Sequence, residues 1–169
     1  MVALALVLAL GAAAAPPTEA EARAVLEAFD RAVNERRYDD AGRLLAADFE
    51  HVARNPALVE AMGADAFPAD ERRALLEGAR FDAQAMLQDA RAVGLRQRRQ
   101  VRAFVPAGAG RPARLFSTLE RTLDGTEPGS PCLRLALSEE AAFAREGGRV
   151  LLRSLRSANE TVASPIPCR

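Results

Sequence analysis

The chain has 169 residues, with 23 basic and 23 acidic side chains and no formal net charge at pH 7. Hydrophobic residues make up 49% and charged residues 27%, which excludes a disordered tail or a fibrous repeat. The balanced charge argues against a dedicated nucleic-acid binder. All the basic side chains are arginine, and isoleucine occurs once, at Ile166, a bias that GC-rich codons explain.

Val2 to Leu10 is an unbroken apolar run, followed by Gly11, four alanines and Pro16-Pro17. An apolar core followed by small residues matches a secretory signal peptide, with cleavage after Ala14 and small residues at Ala12 and Ala14. The run is far short of the roughly 20 residues that cross a bilayer, so no transmembrane segment is expected. The usual positive residues before the run are missing. The reading is a signal peptide over 1–15 and a secreted or periplasmic product. Residues 16–169 then form one α+β domain with a C-terminal tail, since about 155 residues suit one hydrophobic core.

Thr18-Glu19-Ala20-Glu21 has the spacing of a capping box. Ala22, Val25, Leu26, Phe29, Ala32 and Val33 then recur at helical steps and define one apolar face. The charged turn Asn34–Arg37 ends it. Asp39 or Asp40 opens a second short helix that places Leu44, Leu45 and Ala47 inside, and the chain extends from Phe49. Tyr38 sits in the charged turn and reads as a surface cover. Asn55-Pro56 starts a short helix that Gly63 stops. A longer helix follows from Pro68 to about Gly94, through Leu75, Leu76, Ala79, Ala83, Met86, Leu87 and Ala90, with Gly78 off its apolar face.

The second half has a period of two. Leu95, Val101, Ala103 and Val105 oppose Arg96, Arg98 and Arg102, a strand pattern. Leu115–Leu123 supplies a second strand, although Leu115, Leu119 and Leu123 also fit a helix. Leu133–Leu137 supplies a third, and Ser138–Arg145 fits either a strand or a helix. Glu146-Gly147-Gly148-Arg149 is a hairpin turn into a last strand over 150–156. Helices first and an antiparallel sheet afterwards is an α+β order. The only cysteines, Cys132 and Cys168, are read as a disulfide that pins the tail, since exported chains keep such bonds.

The stretch Ala22–Phe49, ending in Leu44-Leu45-Ala46-Ala47-Asp48-Phe49, resembles the opening of the nuclear transport factor 2-like superfamily, which includes the SnoaL-like enzymes. The phrase Phe143-Ala144-Arg145-Glu146-Gly147-Gly148-Arg149-Val150 is similar to the family's closing hairpin. The family's frequent tryptophan near that strand is absent. The resemblance implies a curved sheet wrapped on helices, a cone with a pocket. Steroid-isomerase members use a first-helix tyrosine and an aspartate after the second helix. The matching positions here are Phe29 and Ala53, which can neither donate to an oxyanion nor take a proton.

Among chemical groups, Asp48 and His51 are the weak catalytic candidates. No Gly-rich phosphate loop, zinc spacing or Gly-x-Ser-x-Gly elbow is present, so no cofactor or metal is expected. Gln97 and Arg99 share a face with Leu95 and Val101. An inward arginine needs a partner: an acid from the helices, or an anionic ligand. A bulge that turns Arg99 outward is the third option. Residues 91–121 carry eight arginines against one acid, Glu120, whereas residues 16–90 carry nine against 16 acids. Acidic helices can pack on a basic sheet, or the sheet can offer a basic face to an anionic partner. The reading is an exported domain that binds a small ligand, an anionic one where Arg99 meets it, or a protein partner, with a homodimer left open. The alternative is a SnoaL-like isomerase or lyase with a rearranged acid–base set.

Overall fold

A computed structural model describes residues 15–124, 131–161 and 164–168. The apolar run Val2–Leu10 and the cleavage point after Ala14 lie outside the described residues. No helix among the described residues is long and apolar enough to cross a membrane.

Helix α1 spans Glu19–Asn34 and begins with the capping box. The Glu21 amide donates to the Thr18 hydroxyl at 3.3 Å, and the Thr18 amide donates to the Glu21 carboxylate at 2.9 Å. Ala22, Leu26, Phe29, Ala32 and Val33 are buried along one face. Helix α2 is short, Tyr38–Gly42, and strand β1 runs over Leu45–Arg54. The second helix therefore stops before the leucines that were expected inside it. Sheet pairing decides this: the Leu152 amide donates to the Leu44 carbonyl at 2.9 Å, and Leu45 lies opposite Leu152. A register shift between Leu45 and Glu50 then leaves Leu45, Ala46 and Phe49 buried, while Ala47 and Asp48 are exposed. Tyr38 is buried rather than a surface cover. Its hydroxyl donates to the Ala90 carbonyl at 3.3 Å, and the Arg91 guanidinium lies 5.1 Å from its ring centre.

Asn55 caps helix α3, Pro56–Met62, and helix α4 covers Ala69–Glu77. The long helix expected from Pro68 to Gly94 is broken at Gly78. There the backbone has φ +114°, strand β2 (Ala79–Phe81) pairs antiparallel with β1, and helix α5 restarts at Ala83–Ala92. Asp82 caps α5 by accepting from the Ala85 amide at 2.8 Å. A Cβ at Gly78 would lie 2.4 Å from Val52 Cγ1, so the glycine permits both the turn and the close approach of β1.

Four long strands follow: β3 (Arg96–Val105), β4 (Ala113–Leu123), β5 (Cys132–Glu146) and β6 (Arg149–Asn159). Residues 138–145 are thus strand throughout. A short β7, Ser164–Ile166, pairs with β5 beyond the end of β6. The sheet order is β2-β1-β6-β5-β4-β3, so β2 and β3 are its edges. All pairs are antiparallel except β1–β6, which is parallel and makes the sheet mixed. Strands β1 and β6 lie far apart in the chain, so no hairpin imposes an antiparallel pairing on them. A bulge between Val101 and Ala103 changes the phase of β3. Phe104 packs against the core, while Ala103 and Val105 are exposed. The core lies between α1 and the concave face, around Leu26, Phe29, Phe49, Leu115, Phe143, Leu152 and Leu155.

Cys132 and Cys168 form a disulfide with their α-carbons 5.1 Å apart. It closes a 36-residue separation and secures β7 against β5. Replacing Cys168 by serine is expected to lower stability by roughly 3–4 kcal/mol in the chain-entropy account, measured by urea denaturation under non-reducing conditions. Gly78→Ala is expected to cost about 1–3 kcal/mol in the same assay, through strain at positive φ and the clash with Val52.

Candidate functional site

The concave face of the sheet carries polar groups among its apolar ones. Two-residue alternation puts Gln97, Arg99 and Val101 of β3 on that face, with Ser117, Leu119 and Arg121 of β4 beside them. Glu139 of β5 pairs in register with Ser117 on one side and Ser157 of β6 on the other. His51 of β1 lies opposite Leu155 of β6.

Arg99 faces inward, and protein carboxylates meet it. Its Nε donates to Asp30 Oδ2 at 2.8 Å and its Nη2 to Asp30 Oδ1 at 3.1 Å, a two-pronged contact with α1. Nη1 donates to Ser117 Oγ at 2.8 Å and to Glu139 Oε1. The other Glu139 oxygen accepts from Arg121 Nη2 at 3.1 Å. Gln97 joins the group, donating from Nε2 to Asp30 Oδ1 at 2.6 Å and accepting from Arg121 Nε at 3.4 Å. Side-chain exposure is 5% for Arg99 and zero for Glu139.

Burial raises the Asp30 carboxyl above its usual range, although Arg99 opposes that rise. Burial works against the charge of Glu139 too, but Arg99 and Arg121 outweigh it and hold this carboxylate below its usual range. Burial also opposes the charge on Arg99, and Glu139 and Asp30 overcome it, so this guanidinium stays protonated. Two arginines and two carboxylates thus compensate one another inside the cone.

Beside this cluster is a cavity of about 160 Å³. Phe29 and Val33 of α1, Met86 and Leu87 of α5, Phe81 and Leu95 form much of its apolar wall. Gln97, Arg121 and His51 supply the polar side, and exposed Asp89 also lines it. Ala53 lines it as well. His51 is buried, shares a hydrogen bond of 3.0 Å between Nε2 and Ser157 Oγ, and lies 5.8 Å from the Phe81 ring centre. Burial, helped by the charge of Arg121, lowers its pKa to about 4, so the ring is neutral at pH 7.

Of the residues singled out in the sequence, the structure brings His51 and Gln97 to the cavity and places Arg99 in the cluster behind it. Asp48 is elsewhere: it is exposed and accepts from Arg153 Nη2 at 2.8 Å, because β1 begins before it and turns it outward. Asp30, Arg121 and Glu139 escaped the sequence reading. Glu139 continues the alternation of Leu135 and Leu137, and Asp30 follows Leu26 by four residues on α1. Those spacings were the available signals. No group of three or more potential metal ligands occurs among the described residues.

No protein-family model matches the chain, and no curated protein sequence matches it. Solved structures do. A conserved protein from Planctomyces limnophilus superposes with a TM-score of 0.60 at 14% identity, covering 88% of this chain and 97% of that one. A ketosteroid isomerase-like protein from Erwinia carotovora gives 0.56 at 13% identity, covering 85% and 96%. A nuclear transport factor 2-like protein from Cytophaga hutchinsonii gives 0.56 at 7% identity, covering 85% and 99%. The chain has the nuclear transport factor 2-like fold, helices on a curved, open, mixed sheet.

Removing one member of a buried ion cluster strands the others. Arg99→Ala is therefore expected to cost about 3–5 kcal/mol, while the exposed neighbour Arg98→Ala stays within about 0.5 kcal/mol, both read from urea midpoints. His51 supplies a pH dependence. Its folded pKa of about 4 lies below the ordinary 6.5, so on acidification the unfolded chain takes up the proton first. Stability from the neutral ring is complete above pH 6.5 and is lost as pH falls to about 4. As the only histidine, His51 gives one set of ring resonances, which should stay unshifted by NMR until well below pH 6.

Proposed function

We propose that this protein is an exported, non-catalytic binding domain that takes a small, uncharged, largely apolar compound into the cone cavity. The carrying observation is the cavity itself: about 160 Å³ of mostly apolar wall with Arg121, Gln97 and neutral His51 on its polar side. That volume matches a single six-membered ring, since an apolar cavity of about 150 Å³ accepts benzene. Arg121 and Gln97 carry donors suited to a carbonyl or ether oxygen.

An uncharged ligand is favoured because the interior charge is already balanced. Asp30, Glu139 and Ser117 occupy the Arg99 guanidinium, so we assign Arg99 to holding the interior together and Gln97 to the cavity. Binding is favoured over turnover because Phe29 and Ala53 line the cavity where isomerase chemistry needs a hydroxyl and a carboxylate. Asp48 is outside it, and a histidine with a pKa of about 4 is a weak base. Export is supported by the apolar run Val2–Leu10 and by the disulfide, a bond that survives in oxidising compartments.

Cyclohexanone and benzamide are suitable probes. Both are expected to shift the NMR signals of His51 and of the amides at Gln97 and Arg121. Ala53→Leu, which fills the cavity without touching a polar group, should abolish those shifts, and Arg121→Leu should weaken them. Shifts that persist unchanged in Ala53→Leu would place the binding elsewhere.

A further inference from the structure

The sheet has a long free edge on the side of β3 away from β4. Strand β3 ends the strand order, and no strand pairs with its outer side among the described residues. At one point a side chain substitutes for the missing strand. The Gln97 amide donates to Asn34 Oδ1 at 2.7 Å, and the Gln97 carbonyl accepts from Asn34 Nδ2 at 2.8 Å. This double contact shows which peptide groups of β3 turn away from β4. By the alternation of an antiparallel pair, those of Arg99 and Val101 turn outward too. Neither meets a backbone partner outside the sheet among the described residues. The bulge after Val101 ends this free run.

The edge borders a groove. Between β3 and α1 lies an open space of about 660 Å³, with the mixed charges of Arg23, Glu27, Arg31 and Glu35 on the helix side above buried Leu26, and Val101 on the strand side. The charge along β3 is all of one sign, with four arginines and no acid. Arg99 is occupied by Asp30 and Glu139, and Arg96 donates to Asp124 at 2.7 Å. Arg98 and Arg102 are exposed and form no ion pair among the described residues.

We propose that this edge is a docking site for an extended, acidic segment of another protein, which adds as one more strand outside β3. Its peptide groups pair with those of Arg99 and Val101. Alternate side chains face opposite sides of a strand, so the segment has a two-residue pattern. One set lies over the groove beside half-buried Val101 and is apolar. The other set runs beside Arg98 and Arg102 and is Asp or Glu, which these guanidinium groups can bind through paired hydrogen bonds. The run from Gln97 to the bulge admits about five residues. Charged edge strands also serve to repel pairing, and the acidic pattern is what would satisfy these arginines in place of repulsion.

The test uses a short fluorescein-labelled peptide, Ser-Val-Glu-Val-Glu-Val-Ser, with binding to the mature protein followed by fluorescence polarisation. Binding is expected, weakened at least about tenfold when lysine replaces glutamate or when alternate amides are N-methylated in either register. Amide exchange at Arg99 and Val101 should slow in the complex. Val101→Pro removes an outward donor while leaving the β3–β4 bonds, and should abolish binding. The double variant Arg98→Glu, Arg102→Glu should transfer the preference to the lysine peptide. Absence of binding overturns the proposal. So does equal binding of the N-methylated peptides, which would mean attraction of charge without strand addition. If Val101→Pro fails to fold, the N-methylated peptides on the unaltered protein decide. None of these outcomes bears on the cavity, whose probes report at His51.

Discussion

The arrangement of this cone depends on a single guanidinium. An arginine on the concave face of a sheet, with a side chain 5% exposed, must be answered by carboxylates within the fold. Asp30 answers from α1 and Glu139 from the middle of the sheet, so one side chain joins the helix to strands that are distant in sequence. The contact sets where α1 lies across β3 and β4. It also separates two hollows, the cavity on the His51 side and the more open groove along the β3 edge. Gln97 lines both.

Compensation within the cluster shapes the chemistry of each hollow. Inside, Arg99 and Arg121 are balanced by Asp30 and Glu139, and the cavity next to them is apolar with a few hydrogen-bonding groups. Outside, Arg98 and Arg102 form no ion pair among the described residues, although Glu120 lies across from Arg98, and their strand pairs on one side only. The basic character of residues 91–121 is therefore divided by strand alternation. The inward arginines are paired with carboxylates inside the fold, and the outward Arg98 and Arg102 are exposed. Of the two explanations of charge segregation, internal compensation is seen on the inward side of the strand.

Much of the fold was legible in local pattern. The capping box at Thr18–Glu21, the apolar face of α1, the Asn55-Pro56 start and the hairpin at Gly147-Gly148 are short-range signals, and each element appears where its signal lies. The errors have a common origin. Leu45 and Ala47 fit a helix until β6 pairs with the segment and converts it to strand. Gly78 looked incidental in a helical pattern because the contact that requires it, Val52, lies on another strand. Ala103 and Val105 kept the alternation of β3 on paper, and the bulge against β4 inverted it.

The site divides in the same way. By itself the sequence determined which residues alternate and that Gln97 and Arg99 share a face with Leu95 and Val101, because strand period depends only on neighbours along the chain. That no bulge turned Arg99 outward was decided by the pairing with β4. It marked an inward arginine in need of a partner. Tertiary structure alone decided which acids answered it. Asp30 and Glu139 are 69 and 40 residues away from Arg99, and no local pattern distinguishes them from the exposed acids around them. It likewise decided that His51 would lose its charge, since the burial and the Arg121 field that depress its pKa come from other strands and helices. Periodicity is a property of the chain, whereas the partners of a buried charge are a property of the packed molecule.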